Sequence, residues 1–236
     1  MEAMMDRFTV GGRQVWLWQP RTPERNDLPL VLVPAGEDAE EEMKQVFTLA
    51  EESVQKPFRL AAFASADWNR DYSPWPAPAL FKKEPPFAGD GPDTLAWLRK
   101  GLLPELARRN AAVQTPESTT LLGYSLAGLF ALWAFYESGL FGAVASCSGS
   151  LWFDGWLLYL EKKRAPAGGR VYLSLGDREE KARNPRMAAV GEATRRTSVL
   201  LWEDENLAAS TLVWQPGGHF DGVPRRLADA LVWLLA

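Results

Sequence analysis

A serine flanked by small residues is the first feature of this sequence that has the pattern of a nucleophile. The apolar run at residues 119–122 predicts a buried strand and residues 129–136 predict a helix, so Ser125 lies on the turn between them. Such a turn has strained backbone and tolerates only small residues two positions before and after the serine. Gly123 and Ala127 meet this requirement. The match is to a relaxed form of G-x-S-x-G, which alone is a weak indication of catalysis.

A single histidine strengthens the interpretation of Ser125 as a nucleophile. His219 is the only histidine of the chain, and it follows two glycines in a polar turn between the apolar run 211–214 and a predicted closing helix. In α/β-hydrolases the catalytic histidine comes last, after the serine and the acid, on a loop that follows the last core strand. His219 occupies that place, which predicts that it is the base that activates Ser125.

The acid that orients such a histidine has to lie between these two residues. The run 170–175 predicts a strand, and Asp177, Glu179 and Glu180 follow it directly. One of these carboxylates is expected to accept a hydrogen bond from the imidazole and to fix its tautomer. Chemistry alone does not choose among the three, and Asp177 also has the position of a residue that caps the turn.

Length and composition indicate a globular protein with one large core. The chain of 236 residues is 47% hydrophobic and 24% charged, so we expect residues 1–236 to form a single domain. The net charge is −4 and the basic residues are scattered, which argues against a nucleic acid partner. No apolar run is long enough to span a membrane, and residues 1–7 lack the pattern of a signal peptide, so a cytoplasmic location is expected.

Cysteine and histidine are too scarce for the common metal sites. Cys147 is the single cysteine, which excludes an internal disulfide and a cysteine-based metal cluster. With one histidine as well, neither a zinc site nor any other cofactor is expected. Cys147 itself is expected to be a small buried core residue, because no second histidine is available to activate it.

Predicted strands and helices alternate along the chain. The strands are expected at residues 8–10, 14–18, 28–33, 58–63, 119–122, 141–146, 170–175 and 211–214. The helices are expected at residues 37–52, 94–109, 129–136, 184–197 and 224–235, and residues 20–27 form a polar connection. Pro104 is expected to kink or split its helix near Leu103. The alternation predicts an α/β fold, a mostly parallel central sheet with helices on both faces, and no insertion is long enough for a separate lid domain.

Backbone amides near the serine are the candidates for an oxyanion hole. The N–H of Leu126 follows the nucleophile directly and lies at the start of a helix. In this fold the loop after an early buried strand supplies the second donor, which here is the amide of Gly36 or Glu37. The second assignment rests on analogy with the geometry of the fold, since backbone amides carry no sequence signature.

Aromatic residues are the candidates for a substrate pocket. Several of them lie in an unusually long loop, residues 67–93, and long loops of this kind are commonly functional. Others follow the predicted strand 141–146, at the end where ligand sites gather in open α/β sheets. The predicted pocket comprises Trp68, Tyr72, Trp75, Trp152 and Trp156, with Ser148 and Ser150 as further lining residues. The alternative for the long loop is a packed surface segment that its prolines hold in place.

Three segments, in this order, carry a resemblance to a known family. They are Gly123-Tyr124-Ser125-Leu126-Ala127-Gly128, Gly176-Asp177-Arg178-Glu179 and Gly217-Gly218-His219-Phe220. From about residue 28 to the C-terminus, the chain resembles the putative esterases related to esterase D and to the enterochelin esterases, within the α/β-hydrolase superfamily. The resemblance implies an α/β-hydrolase fold, a serine hydrolase that acts on an ester, and Glu179 as the acid. Ala127 departs from the glycine that the family pattern has at this position.

Two other kinds of activity stay open from the sequence alone. The same arrangement of serine, histidine and acid serves thioesterases, acyltransferases and peptidases. A hydrolase fold also occurs in proteins that bind a ligand without turning it over. The resemblance favours hydrolysis of a small-molecule ester through an acyl-enzyme, and it leaves the natural substrate and the oligomeric state open.

Overall fold

A central sheet of eight strands organises the chain. The structure is a computed structural model that describes residues 4–20, 28–109 and 115–236. The strands are β1 (Met4–Val10), β2 (Arg13–Gln19), β3 (Leu30–Gly36), β4 (Arg59–Ser65), β5 (Thr119–Tyr124), β6 (Ala143–Cys147), β7 (Gly169–Gly176) and β8 (Leu207–Gln215). Their order across the sheet is β1-β2-β4-β3-β5-β6-β7-β8. Strands β3 to β8 are parallel, and the predicted N-terminal hairpin, β1 with β2, pairs antiparallel to β4.

Helices cover both faces of this sheet. They are α1 (Glu40–Glu51), α2 (Trp68–Asp71), α3 (Gly91–Trp97), α4 (Leu103–Arg108), α5 (Leu126–Ser138), α6 (Trp156–Leu160), α7 (Pro185–Ala188), α8 (Val190–Trp202) and α9 (Val223–Leu234). One buried cluster joins the sheet to α3, α4, α5, α6 and α8, and a second joins the opposite face to α1 and α9. The predicted α/β arrangement is therefore confirmed, and no separate lid domain is present in residues 4–20, 28–109 and 115–236.

Burial on both faces explains the apolar sequences around the serine. Every residue of β4 and of β6 is buried, as expected for parallel strands that helices cover on both sides. Helix α5 is also buried around most of its circumference, because it packs in the core and not at the surface. Since Ser125 directly precedes α5, this residue is attached to a rigid and deeply buried element.

The helix predicted over residues 94–109 is present but interrupted. Helix α3 is followed by a π-helical turn, Leu98–Leu102, before α4 resumes at Leu103. Pro104 has no N–H to donate to the preceding turn and its ring crowds the carbonyl there, so the chain widens into a π turn just before it. The predicted break near Leu103 is confirmed.

Several other segments differ from the sequence prediction. The helix expected over residues 184–197 is divided into α7 and α8, and the side chain of Asn184 caps the first of them. Helices α2 and α6 have only four and five residues, too few for a periodic apolar pattern to predict them. Apart from Pro20, the polar connection expected over residues 20–27 lies outside the described residues. No helix in the described part of the chain is long and apolar enough to cross a bilayer.

Candidate active site

Ser125 lies on a strained turn between β5 and α5. Its φ of 58° and ψ of −126° are unusual for a residue with a side chain. A Cβ atom on Gly123 would lie 2.0 Å from the carbonyl oxygen of Ala127, so only glycine fits at position 123. Ala127 itself is fully buried, and its methyl group packs in the core. The alanine that departs from the family pattern is therefore accommodated without loss of the turn.

Replacing Gly123 by alanine is expected to destabilise the fold strongly. The added methyl would overlap three backbone atoms, Ala127 O at 2.0 Å, Ala127 C at 2.4 Å and Gly128 N at 2.7 Å, and backbone cannot rotate away as a flexible side chain can. Overpacking typically costs about 1–3 kcal/mol, and we expect a loss at or above the top of that range. Gly101→Ala is the matched control, because its Cβ would meet only side-chain atoms at 3.4 Å. Equal melting temperatures for the two variants would contradict this account of the turn.

Ser125, His219 and Glu179 form a continuous line of hydrogen bonds. Nε2 of His219 lies 2.9 Å from Oγ of Ser125, and Nδ1 of His219 lies 2.7 Å from Oε2 of Glu179. The three residues come from the ends of three separate strands: β5, β7 and β8. If Nδ1 carries the hydrogen, as a hydrogen bond to a carboxylate requires, Nε2 is free to accept a proton from the serine.

The structure distinguishes the three carboxylates that the sequence left open. Glu179 is buried and is the one that contacts His219. Asp177 accepts a hydrogen bond at 2.9 Å from the amide of Gly217, so it caps the turn ahead of the histidine. Glu180 pairs with Arg195 at 2.7 Å on the outside of the molecule.

Hydrogen bonds keep the buried Glu179 carboxyl ionised. Burial by itself raises its pKa, but hydrogen bonds from His219 and Ser148, the charge of His219 and the amide of Gly176 outweigh burial, and the pKa lies below its ordinary value. An ionised carboxylate at this position stabilises the imidazolium that forms when a histidine acts as base.

Two contacts of Glu179 are not predicted by the sequence. Oε1 of Glu179 accepts hydrogen bonds from Oγ of Ser148 at 2.7 Å and from Nη1 of Arg226 at 3.1 Å. The sequence contains one signal for Arg226, which shares the face of α9 that buries Leu227, Ala230 and Leu234. A charge on the apolar face of a helix requires a buried partner.

A cleft of about 410 Å³ opens beside Ser125 and His219. Its walls are mainly apolar, and the long loop supplies one side of them. The lining includes the apolar residues Trp68, Leu80, Phe87, Trp152, Met187 and Phe220 and the polar residues Ser148 and Ser150. Within the loop, Ala77 and Phe87 pair as an antiparallel bridge, which folds the segment back on itself. Trp68 and Trp152 thus lie where the predicted pocket requires them.

Three other aromatic residues of the predicted pocket lie outside the cleft. Tyr72 is fully buried behind it and contacts the ring of Trp68 edge-on at 4.8 Å. Trp75 donates its indole N–H to the carbonyl of Asp154 at 2.8 Å and packs against Phe153. The prediction that these side chains line the pocket is wrong, because the ring of Tyr72 lies in the core and the ring of Trp75 is held against Phe153.

The same correction applies to Trp156. It is 1% exposed and donates its indole N–H to the hydroxyl of Thr197 at 3.0 Å. Like other buried indoles, it needs an internal acceptor, and it finds one on α8. The aromatic content of the sequence therefore overstated the size of the apolar pocket.

The predicted oxyanion donors occupy two neighbouring clefts. Leu126 lines the cleft of Ser125, and as the first residue of α5 its N–H has no acceptor within the helix. Gly36 and Glu37 line an adjoining cleft together with Trp68 and Tyr124. Strands β3 and β5 pair in parallel up to Leu32 and Leu121, and Gly36 and Ser125 each follow four residues after that last pair.

Solved structures of other proteins share this fold. The IroE-like serine hydrolase from Shewanella oneidensis has a TM-score of 0.81 at 17% identity, over 99% of this chain and 80% of that chain. The enterobactin esterase FES from Shigella flexneri, in the presence of enterobactin, has a TM-score of 0.76 at 20% identity, over 99% of this chain and 59% of that chain. These similarities confirm the α/β-hydrolase fold.

Sequence comparison shows the family. The uncharacterized protein YbbA of Bacillus subtilis (strain 168) is 25% identical over 185 residues, which are 76% of this chain and 74% of that protein. Residues 11–220, most of the chain, match the family described as putative esterase. The resemblance noted in the sequence is confirmed. The chain belongs to the putative esterase family, and its activity is that of an ester hydrolase.

Proposed function

We propose that the chain is a serine hydrolase that cleaves a carboxylic ester through an acyl-enzyme. Ser125 is the nucleophile, His219 is the general base and acid, and Glu179 orients the imidazole. The observation that carries this proposal is the line of hydrogen bonds from Oγ of Ser125 through both ring nitrogens to a buried carboxylate, at 2.9 and 2.7 Å. Such a chain supplies an activated nucleophile and a place for its proton.

Each half of the reaction uses the same proton path. Nε2 of His219 takes the hydroxyl proton while Oγ of Ser125 attacks the ester carbonyl carbon, and the imidazolium then gives that proton to the departing alkoxide. In the second half, His219 takes a proton from water, the hydroxide attacks the acyl carbon, and Oγ leaves with the proton, which releases the carboxylic acid. Glu179 keeps the hydrogen on Nδ1 throughout.

Backbone amides complete the proposed mechanism. The N–H of Leu126 points from the N-terminus of α5, where the helix dipole favours negative charge, toward the oxygen that develops on the substrate. The amide of Gly36 or Glu37 is the second proposed donor, and it is supported by the position of Gly36 at the carboxyl end of β3, the strand that pairs with β5. Removal of one such donor typically costs about 10²–10³-fold in kcat.

The cleft suggests which part of the ester is bound. Its apolar wall, with Trp68, Phe87 and Trp152, suits an aliphatic or aromatic acyl group. Two cations, Arg178 and Lys181, lie along the same cleft, together with Glu84 and the acid of the proposed triad, Glu179. Enterobactin, the ligand named for the Shigella flexneri esterase, belongs among the esters to be tested.

The proposal is tested with p-nitrophenyl esters of graded acyl length. We expect hydrolysis, labelling by a fluorophosphonate, and the label on the tryptic peptide that contains Ser125. Matched thioester and amide substrates, and an added alcohol as acceptor, separate an esterase from a thioesterase, a peptidase or an acyltransferase. If none of these substrates is turned over and the fluorophosphonate does not label the protein, the proposal is overturned in favour of a ligand-binding protein.

Replacing Glu179 by glutamine tests the choice of acid. Glutamine keeps the shape but neither the charge nor the tautomer preference of the imidazole, so we expect a loss of about 10⁴-fold in kcat. Asp177→Asn and Glu180→Gln are the matched controls, because their carboxylates contact Gly217 and Arg195 instead of the histidine. Initial rates on one p-nitrophenyl ester check the three variants. A larger loss in either control than in Glu179→Gln would move the acid to that residue.

A further inference from the structure

Arg226 is a buried cation beneath the candidate triad, and the mechanism above gives it no role. Its side chain is 3% exposed. Nη1 donates hydrogen bonds to Oε1 of Glu179 at 3.1 Å, to Oγ of Ser148 at 3.0 Å and to the hydroxyl of Tyr124 at 3.1 Å. One guanidinium nitrogen therefore holds the oxygen of the acid that does not face the histidine.

The second nitrogen of Arg226 holds the loop that carries the base. Nη2 donates to the carbonyls of Pro216 at 2.9 Å and Gly218 at 3.0 Å. The hydroxyl of Tyr124, itself an acceptor from Arg226, donates to the carbonyl of His219 at 2.7 Å. Three carbonyls around the histidine are thus tied to one side chain, directly or through one tyrosine.

Ser148 gives an independent indication that this network is built for the site. In the described residues only Ser125 and Ser148 combine a side chain with a positive φ, and Ser148 has a φ of 46°. Such backbone strain persists where the surroundings compensate for it, and it is concentrated at functional sites. The compensation here is the hydroxyl, which donates to Glu179 and accepts from Arg226.

We propose that Arg226, together with Ser148, is a positioning residue of the esterase reaction. It fixes Oε1 of Glu179 so that Oε2 alone faces His219, and it holds the histidine loop at the matching distance from that carboxylate. Arg226 does not touch Oγ of Ser125, so it acts through Glu179 and His219. This inference rests on the proposed triad mechanism.

The planar fork of arginine is what makes one residue sufficient for both tasks. A guanidinium has five donors in a fixed plane, whereas the ammonium of lysine is a compact point charge on a flexible stem. Lysine at position 226 keeps the charge beside Glu179 but cannot reach the acid and the loop carbonyls together. Methionine loses both functions while it still fills the space.

The experiment measures kcat, KM and the fraction of active sites for Arg226→Met, Arg226→Lys and Ser148→Ala. We expect kcat per titrated site to fall about 10- to 100-fold in Arg226→Met, by analogy with the loss of residues that orient the ligands of metal sites. Smaller losses are expected for Arg226→Lys and Ser148→Ala. KM should change little in the two Arg226 variants, since Arg226 is not among the residues that line the cleft. Arg225→Met is the control, because Arg225 is exposed and pairs with Asp229 on the same helix.

A double variant separates positioning from plain stabilisation. If Arg226 acts through Glu179, then Arg226→Met should cost much less in a Glu179→Gln background than in the wild type. Equal losses in the two backgrounds would overturn the proposal, and so would an unchanged kcat per titrated site. If Arg226→Met does not fold, Arg226→Lys and Ser148→Ala decide the question by the same two criteria.

The controls also separate this inference from the proposed function. Turnover that depends on Ser125 but is unaffected by the Arg226 and Ser148 variants would overturn only the positioning role. Turnover that survives Ser125→Ala would overturn the triad mechanism and the positioning role with it.

Discussion

Replacing Ser125 by alanine should lower kcat for a p-nitrophenyl ester by about 10⁶-fold, as loss of the nucleophile does in other serine hydrolases. Without Oγ no acyl-enzyme forms, and the remaining hydrolysis has to use water that is held only by the backbone donors and by substrate binding. The measurement is the initial rate, corrected for spontaneous hydrolysis, with fluorophosphonate labelling measured in parallel. Both signals should be lost together.

A matched serine variant makes this result specific. Ser138 lies at the other end of α5, where its hydroxyl donates to the carbonyl of Ala134. Ser138→Ala should therefore keep the activity and labelling of the wild type. Alanine at position 125 should also leave the fold intact, since Ser125 is only partly buried and its backbone hydrogen bonds do not use the side chain. Substantial residual activity in the Ser125→Ala variant would show that another group is the nucleophile.

The sequence predicted the parts of this molecule that depend on local pattern. The strand before Ser125 and the helix after it follow from continuous apolar runs, because a parallel sheet that is covered on both faces leaves no polar side to alternate. Gly123 and Ala127 follow from the crowding of the turn. His219 follows from its position after the last strand and from the absence of another histidine. Each of these inferences needs only neighbours along the chain.

The predictions that failed concern features that depend on contacts between distant segments. Tyr72 and Trp75 are aromatic residues in a loop that does border the cleft. The ring of Tyr72 packs against Phe130 of α5 and the ring of Trp75 packs against Tyr159 of α6, and only these contacts decide their orientation. Arg226 is separated from Glu179 by 47 positions, and no periodic pattern relates the two. Burial of one charge could be suspected from the sequence, whereas the identity of its partner could not.

The choice among Asp177, Glu179 and Glu180 shows where local sequence pattern stops being informative and contacts between distant segments are needed. All three follow β7 within four residues, so their spacing from the strand gave no preference. The resemblance to a family favoured Glu179. In the structure a short 3₁₀ turn begins at Glu179, whose side chain is buried against His219, while Asp177 and Glu180 contact other partners.

Replacing His219 by alanine is the second change with a very large expected effect. Loss of the base should lower kcat by about 10⁶-fold, close to the effect of losing the serine, because neither residue functions without the other. The double variant Ser125→Ala, His219→Ala should therefore be scarcely worse than either single variant. Initial rates for the three variants measure this non-additivity. If the double variant loses activity by the two single-variant factors multiplied together, the two residues act independently, which would contradict a shared mechanism.

The single histidine allows a chemical version of the same test. Diethyl pyrocarbonate acylates imidazole, and in this chain only His219 is available to it. Inactivation should therefore follow the modification of one histidine per chain, and hydroxylamine should reverse both. Because His219 lines the open cleft, free imidazole has access to the space left in His219→Ala and should restore part of the activity. Activity that survives complete modification of His219 would show that the proton of Ser125 goes to another base.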